Sequence, residues 1–300
     1  MAPSLSIIIT AFREPDTVGR AIEAFLPQLP AESELLVVSP DPQTIAVVDE
    51  YAARHAVVRH VADPQRGKPT AVNVGLEAAG GEIVVLSDGD VAVAEDALAP
   101  LLAPFEDPDA GAVSGHPVSL NPRDTVLGYW SHLLTDGIHR MRLARDQATR
   151  QGEARFLLCS GYLFAFRQAL VDRVPEDALA EDAVISHRIA QQGARIRYAA
   201  DARVFVRYPT TYSDWLRQKV RSAGGYAQKY VRQSPFRMRS AWLEATSAWM
   251  ALRYPRRPRE FLWTLLLFGA RLHVWLLVLI KVRLLHRPLD TLWKRVESTK

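Results

Sequence analysis

Cysteine is nearly absent from this chain of 300 residues, with Cys159 the single copy. One thiol cannot close an intrachain disulfide, so the chain is no disulfide scaffold and fits a reducing compartment. A Cys-x-x-Cys metal or redox site is likewise excluded, and no sequence feature near Cys159 would lower its pKa; it reads as a small buried residue and not as a nucleophile. No Ser-His-Asp pattern, internal repeat or low-complexity stretch is present. The start, Met1-Ala2-Pro3-Ser4, lacks a basic segment followed by a long apolar one, and Leu5–Ile9 is too short for a signal peptide, so the bulk of the chain is expected to stay in the cytosol.

An excess of one charge is missing only on average. The net +4 combines two opposed segments: residues 207–300 carry 19 Lys and Arg against 5 Asp and Glu, a balance of +14, which leaves −10 for residues 1–206. A basic segment that also holds aromatics and an apolar run suits an anionic membrane surface. Nucleic acid is the competing partner for basic residues, but the acidic front segment would repel a phosphate backbone, so no nucleic-acid partner is expected.

The 48% of apolar residues is ample for a packed core. Leu5–Thr10, Glu34–Val38, Val57–Val61, Ile83–Leu86 and Ala112–Ser114 read as strands, several of them apolar on consecutive positions, as in parallel strands covered on both faces. Val18, Ile22, Phe25 and Leu26 recur at helical spacing with Asp16 or Thr17 as cap, and Pro69 opens a second helix through Val72, Leu76 and Ala79. This alternation predicts an α/β fold: an open, mostly parallel sheet with helices on both faces, its ligands at the carboxyl ends of the strands. Beyond it, Val126–Arg150 looks helical and then polar, Phe156–Arg167 returns to strand character, and Ala183–Gln191 is a short helix. Arg195–Tyr198 and Arg203–Tyr208 read as further strands, Trp215–Tyr230 and Trp242–Met250 as helices.

The strand Ile83–Leu86 runs into Ser87-Asp88-Gly89-Asp90. Two carboxylates one residue apart at a strand end point the same way and could hold a hard divalent cation; the same pattern also occurs in solvated acidic turns. Arg66-Gly67-Lys68-Pro69 puts a lysine and free backbone N–H groups at a helix start, an anion site or simply an exposed lysine. Glu181-Asp182 stand before a helix, where a carboxylate can cap the helix or act as a general base. His116 reads as a loop histidine without a role. His132 and His139, seven apart, share a helical face, a polar face in preference to a metal pair.

Taken in order, these segments resemble family 2 glycosyltransferases over about residues 4–232. Ser6–Glu14 resembles the opening strand and nucleotide loop, Gly67–Leu76 the Gly-Lys…Asn-x-Gly-Leu segment, Asp88-Gly89-Asp90 the Asp-x-Asp motif, Glu181-Asp182 the Glu-Asp pair, and Gln218-Lys219-Val220-Arg221 the Gln-x-x-Arg motif. The resemblance implies a GT-A fold for residues 1–232 and inverting transfer of a sugar from a nucleotide diphosphate donor with Mg or Mn. It places Ala11, Phe12, Glu14 and Ser39 by the nucleoside, Lys68 by the nucleotide and Asp88 by the ribose or diphosphate. It gives Asp90 the metal, Asp182 the acceptor proton with Glu181 in support, and Gln218 and Arg221 the diphosphate or acceptor. The Ser160-Gly161 turn resembles the acceptor-side lining. Two positions depart from the pattern. Ser39 stands where many relatives have an acidic base-reading residue, with Asp41 two positions on; Ser222 follows Arg221 where processive synthases carry the tryptophan that packs under the acceptor, which points to single addition. Sugar-phosphate nucleotidyl transfer is an alternative on a similar sheet, but Thr10-Ala11-Phe12-Arg13 is not its glycine-rich loop; a noncatalytic membrane-bound module of the same fold is the other.

Residues 233–300 are expected to form a basic helical segment at the cytoplasmic face of the membrane, near a lipid-linked or saccharide acceptor. Phe261–Ile280 could cross a bilayer core by length. A central Arg271 costs about 3 kcal/mol, while the Leu, Val, Ile and Phe residues together contribute about −4 to −8 kcal/mol. With Arg256, Arg257 and Arg259 before it and Lys281 and Arg283 after it, orientation has no clear sign, and an interfacial helix with Trp242, Trp249, Trp263 and Trp275 at headgroup depth is preferred to a span.

Overall fold

A computed structural model describes residues 4–153, 155–225, 228–236 and 250–280. In chain order its elements are β1 (Leu5–Thr10), α1 (Pro15–Phe25), β2 (Ser33–Ser39), α2 (Pro42–Ala52), β3 (Val58–Ala62), α3 (Lys68–Ala78), β4 (Ile83–Asp88), β5 (Ala92–Val93), α4 (Leu98–Leu102) and β6 (Ala110–Ser119). They continue with α5 (Val126–Arg150), β7 (Leu163–Arg167), α6 (Glu181–Gln191), β8 (Arg195–Val206), α7 (Tyr212–Gly225), α8 (Lys229–Arg232) and α9 (Pro258–Val278). The strands form one sheet in the order β3-β2-β1-β4-β7-β6-β8-β5. It is parallel from β3 to β4; β7 then runs antiparallel to both β4 and β6, β8 is parallel to β6, and β5 is antiparallel to β8.

The unbroken apolar runs have the cause expected of them. Side chains alternate across a strand, and here both faces are covered. Ile7, Ile9, Leu35, Val37, Ile83 and Val85 enter one core with Val18, Ile22 and Phe25 of α1 and Leu98 and Leu101 of α4. Ile8, Leu36, Val38, Val84 and Leu86 enter the other, with Val72 and Leu76 of α3 and Val184, Ile185 and Ile189 of α6. The shared register sets Thr10 opposite Val38 on one side and opposite Asp88 on the other, so three strands end in one row.

Several local expectations change. Neither Asp16 nor Thr17 caps α1: Glu14 takes the cap position without a side-chain capping bond, and Pro15 supplies the preset first turn. The helix α2 is not legible from spacing, because only Thr44 and Val48 are buried on it; its start is set by Asp41, whose carboxylate accepts from Thr44 N at 3.0 Å. Of Phe156–Arg167 only Leu163–Arg167 pairs in the sheet, while Leu157 and Cys159 reach the core from irregular chain. Arg195–Tyr198 and Arg203–Val206 are parts of one strand, β8, whose register slips opposite Ser114 and His116, and Arg207 and Tyr208 lie beyond its end. The expected Trp215–Tyr230 helix begins at Tyr212 and ends at Gly225, with α8 following. Most of Trp242–Met250, including Trp242 and Trp249, lies outside the described residues, as do Lys281 and Arg283.

A third apolar cluster joins Tyr129, Trp130 and Leu133 of α5, Trp215 and Val220 of α7, and Leu267, Ala270 and Val274 of α9. The contact between α9 and α5 is also polar: Tyr129 Oη pairs with Thr264 Oγ1 at 2.7 Å, and Trp130 Nε1 donates to Trp263 O at 2.7 Å. Glu260, buried in the first turn of α9, accepts from Arg256 N at 2.6 Å and from Arg123 Nε at 3.3 Å. The other side of α5 is tied to β8 through buried Asp146, which accepts from Arg197 Nε at 2.8 Å and Tyr198 N at 3.1 Å.

Candidate active site

The polar residues singled out in the sequence come to the carboxyl ends of β1, β2 and β4 and to the first turns of α3 and α6. After β1 the chain turns sharply, with Arg13 at φ 54. The turn is held by hydrogen bonds from Arg13 N to Asp41 Oδ2 at 2.6 Å and from Glu14 N to Thr44 Oγ1 at 2.9 Å. At the end of β4, Gly89 N donates to Thr10 O, and the two neighbouring strand ends pack without room for a side chain: a Cβ on Gly89 would meet Glu14 Oε2 at 2.7 Å and the Cβ of Ala11 at 2.8 Å. The loop after β1 and the Asp88-Gly89-Asp90 turn are therefore one unit.

Gly67, at φ 103, adopts a backbone that suits glycine and releases the chain into α3 with Lys68 as its first residue. From there the Lys68 ammonium lies 2.6 Å from Asp88 Oδ1 and 2.7 Å from Glu181 Oε1. Burial opposes its charge, but the two carboxylates outweigh that and hold it well above the usual lysine range. Glu181 answers in kind: burial would raise its pKa, yet the Lys68 ammonium brings it below the ordinary value. Its neighbour Asp182 goes the other way. Burial first, and then the charge of Glu181, push the Asp182 carboxyl up to about 6. Two adjacent carboxylates are thus set apart, one kept charged by a lysine and one poised near neutrality.

Asp182 Oδ1 accepts from Ala183 N at 2.8 Å, and its other oxygen faces the Ser160-Gly161 turn, where a Cβ on Gly161 would come within 3.3 Å. That turn is fixed by Ser160 N donating to Ser114 Oγ and Cys159 N to Ser186 Oγ, each at 3.0 Å. Cys159 itself is buried, and burial pushes its thiol up to about 12, as suits a packing residue.

Lys68, Asp88, Glu181, Asp182, Gln218 and Arg221 line one cleft of about 260 Å³. Gln218 Oε1 is buried there with no hydrogen-bond partner among the described residues. Ala11, Phe12 and Glu14 are not part of this lining; Ala11 and Glu14 pack against Gly89 of the Asp88-Gly89-Asp90 turn. Ser39 is fully buried, its hydroxyl directed to Asp41 Oδ2 at 3.3 Å, so its contribution is to seat the Asp41 carboxylate, which in turn positions the loop after β1. Asp90 stands beyond Gly89 at the turn, close enough to Tyr162 to raise the phenol's pKa together with Asp88, burial being the first cause.

The wall opposite these carboxylates comes from α5 and is not foreseen by any motif. Ser131, Thr135, Ile138, His139 and Arg142 recur at the spacing of one helical face and enter the cleft lining together, with His116, Tyr198, Tyr208 and Trp215 beside them. That periodicity is the signal in the sequence. His139 lies two turns on from His132 in α5 and meets His116: the rings of His116 and His139 stack 4.0 Å apart, 13° from parallel, while His132 Nε2 pairs with Asn121 O.

A family model described as "Glycosyltransferase like family 2" matches residues 2–225, three quarters of the chain. The chain belongs to glycosyltransferase-like family 2. Within the curated relatives it is 26% identical over 235 residues to the probable glycosyltransferase YdaM of Bacillus subtilis, covering 74% of this chain and 55% of that protein. It is 23% identical over 234 residues to poly-beta-1,6-N-acetyl-D-glucosamine synthase of Staphylococcus aureus, covering 76% and 56%. The chain therefore spans little more than half the length of these relatives. Among solved structures, glucosyl-3-phosphoglycerate synthase from Mycobacterium tuberculosis, in complex with Mn2+, UDP and glucosyl-3-phosphoglycerate, superposes with a TM-score of 0.52 at 15% identity, covering 75% of this chain and 78% of that one. The mixed sheet with flanking helices is the GT-A fold of this family.

The donor atoms present suit the divalent cation that the family implies. Asp88 and Asp90 offer hard carboxylate oxygens one residue apart, and Mg or Mn is commonly held by one or two carboxylates with substrate phosphates completing the shell.

Proposed function

We propose that this chain transfers a sugar, with inversion, from a nucleotide diphosphate donor to a hydroxyl or lipid phosphate of a membrane-proximal acceptor, adding one unit. The observation that carries this reading is the set formed by Lys68 between Asp88 and Glu181, with Asp182 beside it at a pKa of about 6 in the same cleft. A general base must lose its proton near working pH and still want it back, and a carboxyl near 6 meets both needs. Asp182 takes the proton of the acceptor hydroxyl as that oxygen bonds to the anomeric carbon. The bond from that carbon to the diphosphate breaks, and the electron pair leaves with the phosphate oxygen. Glu181 supports Asp182 by staying ionised against Lys68. Asp90, with Asp88, would hold a divalent cation, which when bound would supply the counter-charge for the diphosphate. Arg221 adds positive charge to the same cleft, and Gln218 Oε1, which has no hydrogen-bond partner among the described residues, is an acceptor for a substrate hydroxyl.

The cleft is somewhat smaller than the roughly 300–1,000 Å³ usual for a whole drug-sized ligand. It suits the sugar, the phosphates and the acceptor end. The nucleoside would then lie along Phe12 and Glu14, outside the cleft proper. Screening UDP-, GDP- and dTDP-sugars with Mg or Mn for thermal protection tests the reading: one base should protect, and Asp90→Ala should lose that protection. Failure of every nucleotide to protect the wild-type protein overturns it.

The membrane assignment is supported by α9. Its inner face, Glu260, Thr264, Leu267, Ala270, Val274 and Val278, is buried, whereas Phe261, Leu262, Leu265, Leu266, Leu272 and Leu276 are exposed. The helix is long and apolar enough to cross a bilayer, with a mean hydropathy of 1.8. Docking along α5 and α7 occupies one side of it, though, and leaves the apolar side open beside exposed Arg256, Arg257 and Arg259. A helix bound in this way fits a position in the plane of an anionic cytoplasmic leaflet, with the apolar side in the acyl boundary.

A further inference from the structure

The turn that carries Asp182 is gripped from behind by a segment that no motif marks. Residues 171–180, which lead into α6, are irregular chain, so their backbone groups need partners outside a sheet or helix ladder. Two side-chain amides supply them. Buried Asn73 of α3 donates from Nδ2 to Val174 O at 2.8 Å and accepts from Val174 N at 2.7 Å. Nearer the base, Gln228 spans Ala178: its Oε1 accepts from Leu179 N and its Nε2 donates to Asp177 O, each at 2.8 Å. These partners fix the orientation of the amide, because the reverse would set donor against donor and acceptor against acceptor. Gln228 is 4% exposed, and both of its polar atoms are used on this loop.

Gln228 opens a strap, residues 228–236, that follows α7 and lies along α6. Tyr230 Oη donates to Asp177 Oδ1 at 2.6 Å, Val231 packs with Ala183 and Leu158, and Ser234 Oγ pairs with His187 Nδ1 at 2.8 Å. Phe236 stacks on Phe156 with ring centres 5.0 Å apart. Toward the Gly161 turn, Ser186 Oγ donates to Asp182 O at 2.6 Å and accepts from Cys159 N. Leu179, Ala180, Glu181 and Asp182 follow one another along the cleft wall, so one residue that Gln228 holds is three positions from the Asp182 carboxyl. A catalytic group displaced by about 1 Å can lose about a hundredfold in rate. An irregular loop keeps its place only through contacts such as these.

We infer that Gln228 is a positioning residue for the proposed base: by clamping Asp177 and Leu179 it sets where the first turn of α6 stands in the cleft, while the strap behind it keeps water from the outer side of that turn. The inference rests on the glycosyltransfer reading for the role of Asp182. Charges reach the Asp182 carboxyl from Glu181 on its own helix, Lys68 of α3 and Arg142 of α5, and Arg221 of α7 acts on Glu181. Cys159, on the facing turn, stays a neutral thiol. His187 lies between α6 and the strap and is kept neutral by burial, which lowers its pKa to about 4. The strap side chains named above carry no charge, so the strap acts on Asp182 through position and burial.

The test titrates the Asp182 carboxyl in the full chain by 13C NMR, with label on the aspartate carboxyl carbons and Asp182→Asn to assign the resonance. The wild-type midpoint should lie at about 6, and Gln228→Met, which removes both bonds and keeps the approximate shape, should bring it down toward the ordinary carboxyl range. Tyr230→Phe, which loses the bond to Asp177, should move it the same way by less. Ile22→Ala, in the core on the other face of the sheet, should leave it in place. An unmoved midpoint in Gln228→Met overturns the inference, as does a wild-type midpoint already in the ordinary range. So does an equal drop in Ile22→Ala, which would make the effect one of general loosening. If Gln228→Met does not fold, Tyr230→Phe decides alone, and an unmoved midpoint there overturns the inference. UDP, GDP and dTDP with Mn are tested for thermal protection of the same samples. Protection of the wild type with an unmoved midpoint in the variants sinks this inference alone; no protection of the wild type sinks the transferase reading and the role of Gln228 with it.

Discussion

The ammonium of Lys68 lies 2.7 Å from Glu181 Oε1 and joins the first turn of α3 to the first turn of α6 across the cleft. Lys68→Met should leave Glu181 buried without its cation, at a cost of roughly 3–5 kcal/mol while the carboxylate stays charged. The cost should be smaller at pH 5 than at pH 8, because Glu181, freed of Lys68, takes up a proton in the folded state. Urea unfolding at the two pH values checks this. Equal losses at both would show that Lys68 does not govern the ionisation of Glu181.

As the proposed general base, Asp182 should set the acid limb of activity. With its pKa raised to about 6, kcat/KM should fall about tenfold per pH unit below that value. The sign for stability is opposite to that of an ordinary salt-bridged carboxylate. The folded state binds the Asp182 proton more tightly than the unfolded chain, so this group's contribution declines as pH rises from about 4 to about 6 and remains unfavourable above that. Asp182→Asn should therefore abolish transfer, keep donor binding, and stabilise the fold by about 1–2 kcal/mol at pH 8 but little at pH 4. A pH-rate profile and thermal melts at both pH values decide it.

Gly89 is where the loop after β1 meets the Asp88-Gly89-Asp90 turn. Gly89→Ala should force Glu14 or Ala11 aside and weaken donor binding about tenfold or more. Gly137, on α5, has nothing within 4 Å of a built Cβ, so Gly137→Ala should leave binding unchanged and add about 0.5–1 kcal/mol of stability as a helix substitution. Titration of the two variants with the donor that protects the wild type compares them directly.

The two sides of α9 should separate membrane binding from folding. Leu262→Gln, Leu265→Gln and Leu266→Gln combined change exposed positions and should abolish sedimentation with phosphatidylglycerol vesicles with little loss of stability. Leu267→Ala, at 2% exposure, should instead cost about 2–5 kcal/mol and leave vesicle binding of the folded fraction intact. Unaltered sedimentation of the triple variant would remove the apolar side of α9 as the membrane contact.

Much of this was written locally. Leu5–Thr10 and Ile83–Asp88 announce strands because each residue type must satisfy a face covered by helices, and Gly67-Lys68-Pro69 announces a helix start because backbone freedom, charge and a preset φ follow one another. Motifs at strand ends were legible for the same reason: the chain leaves the sheet there, and polar residues gather where it does. What no spacing could show is the partner each residue finds. Asp182 and Glu181 are chemically alike and adjacent, and their opposite pKa directions come from burial against the Gly161 turn and from a lysine more than a hundred positions earlier in the chain. Ser39 stands where many relatives have an acidic base-reading residue, and in the fold its hydroxyl is directed to Asp41. His139 matches His132 by period, and its stacking on His116 of β6 comes from a strand that the helix spacing does not reveal. Sequence determines the elements and the chemistry available at their ends. Which charges are desolvated together, and therefore which carboxyl is raised and which is held down by a lysine, is decided only when distant segments close on one cleft, since electrostatic energies depend on distance and burial through space.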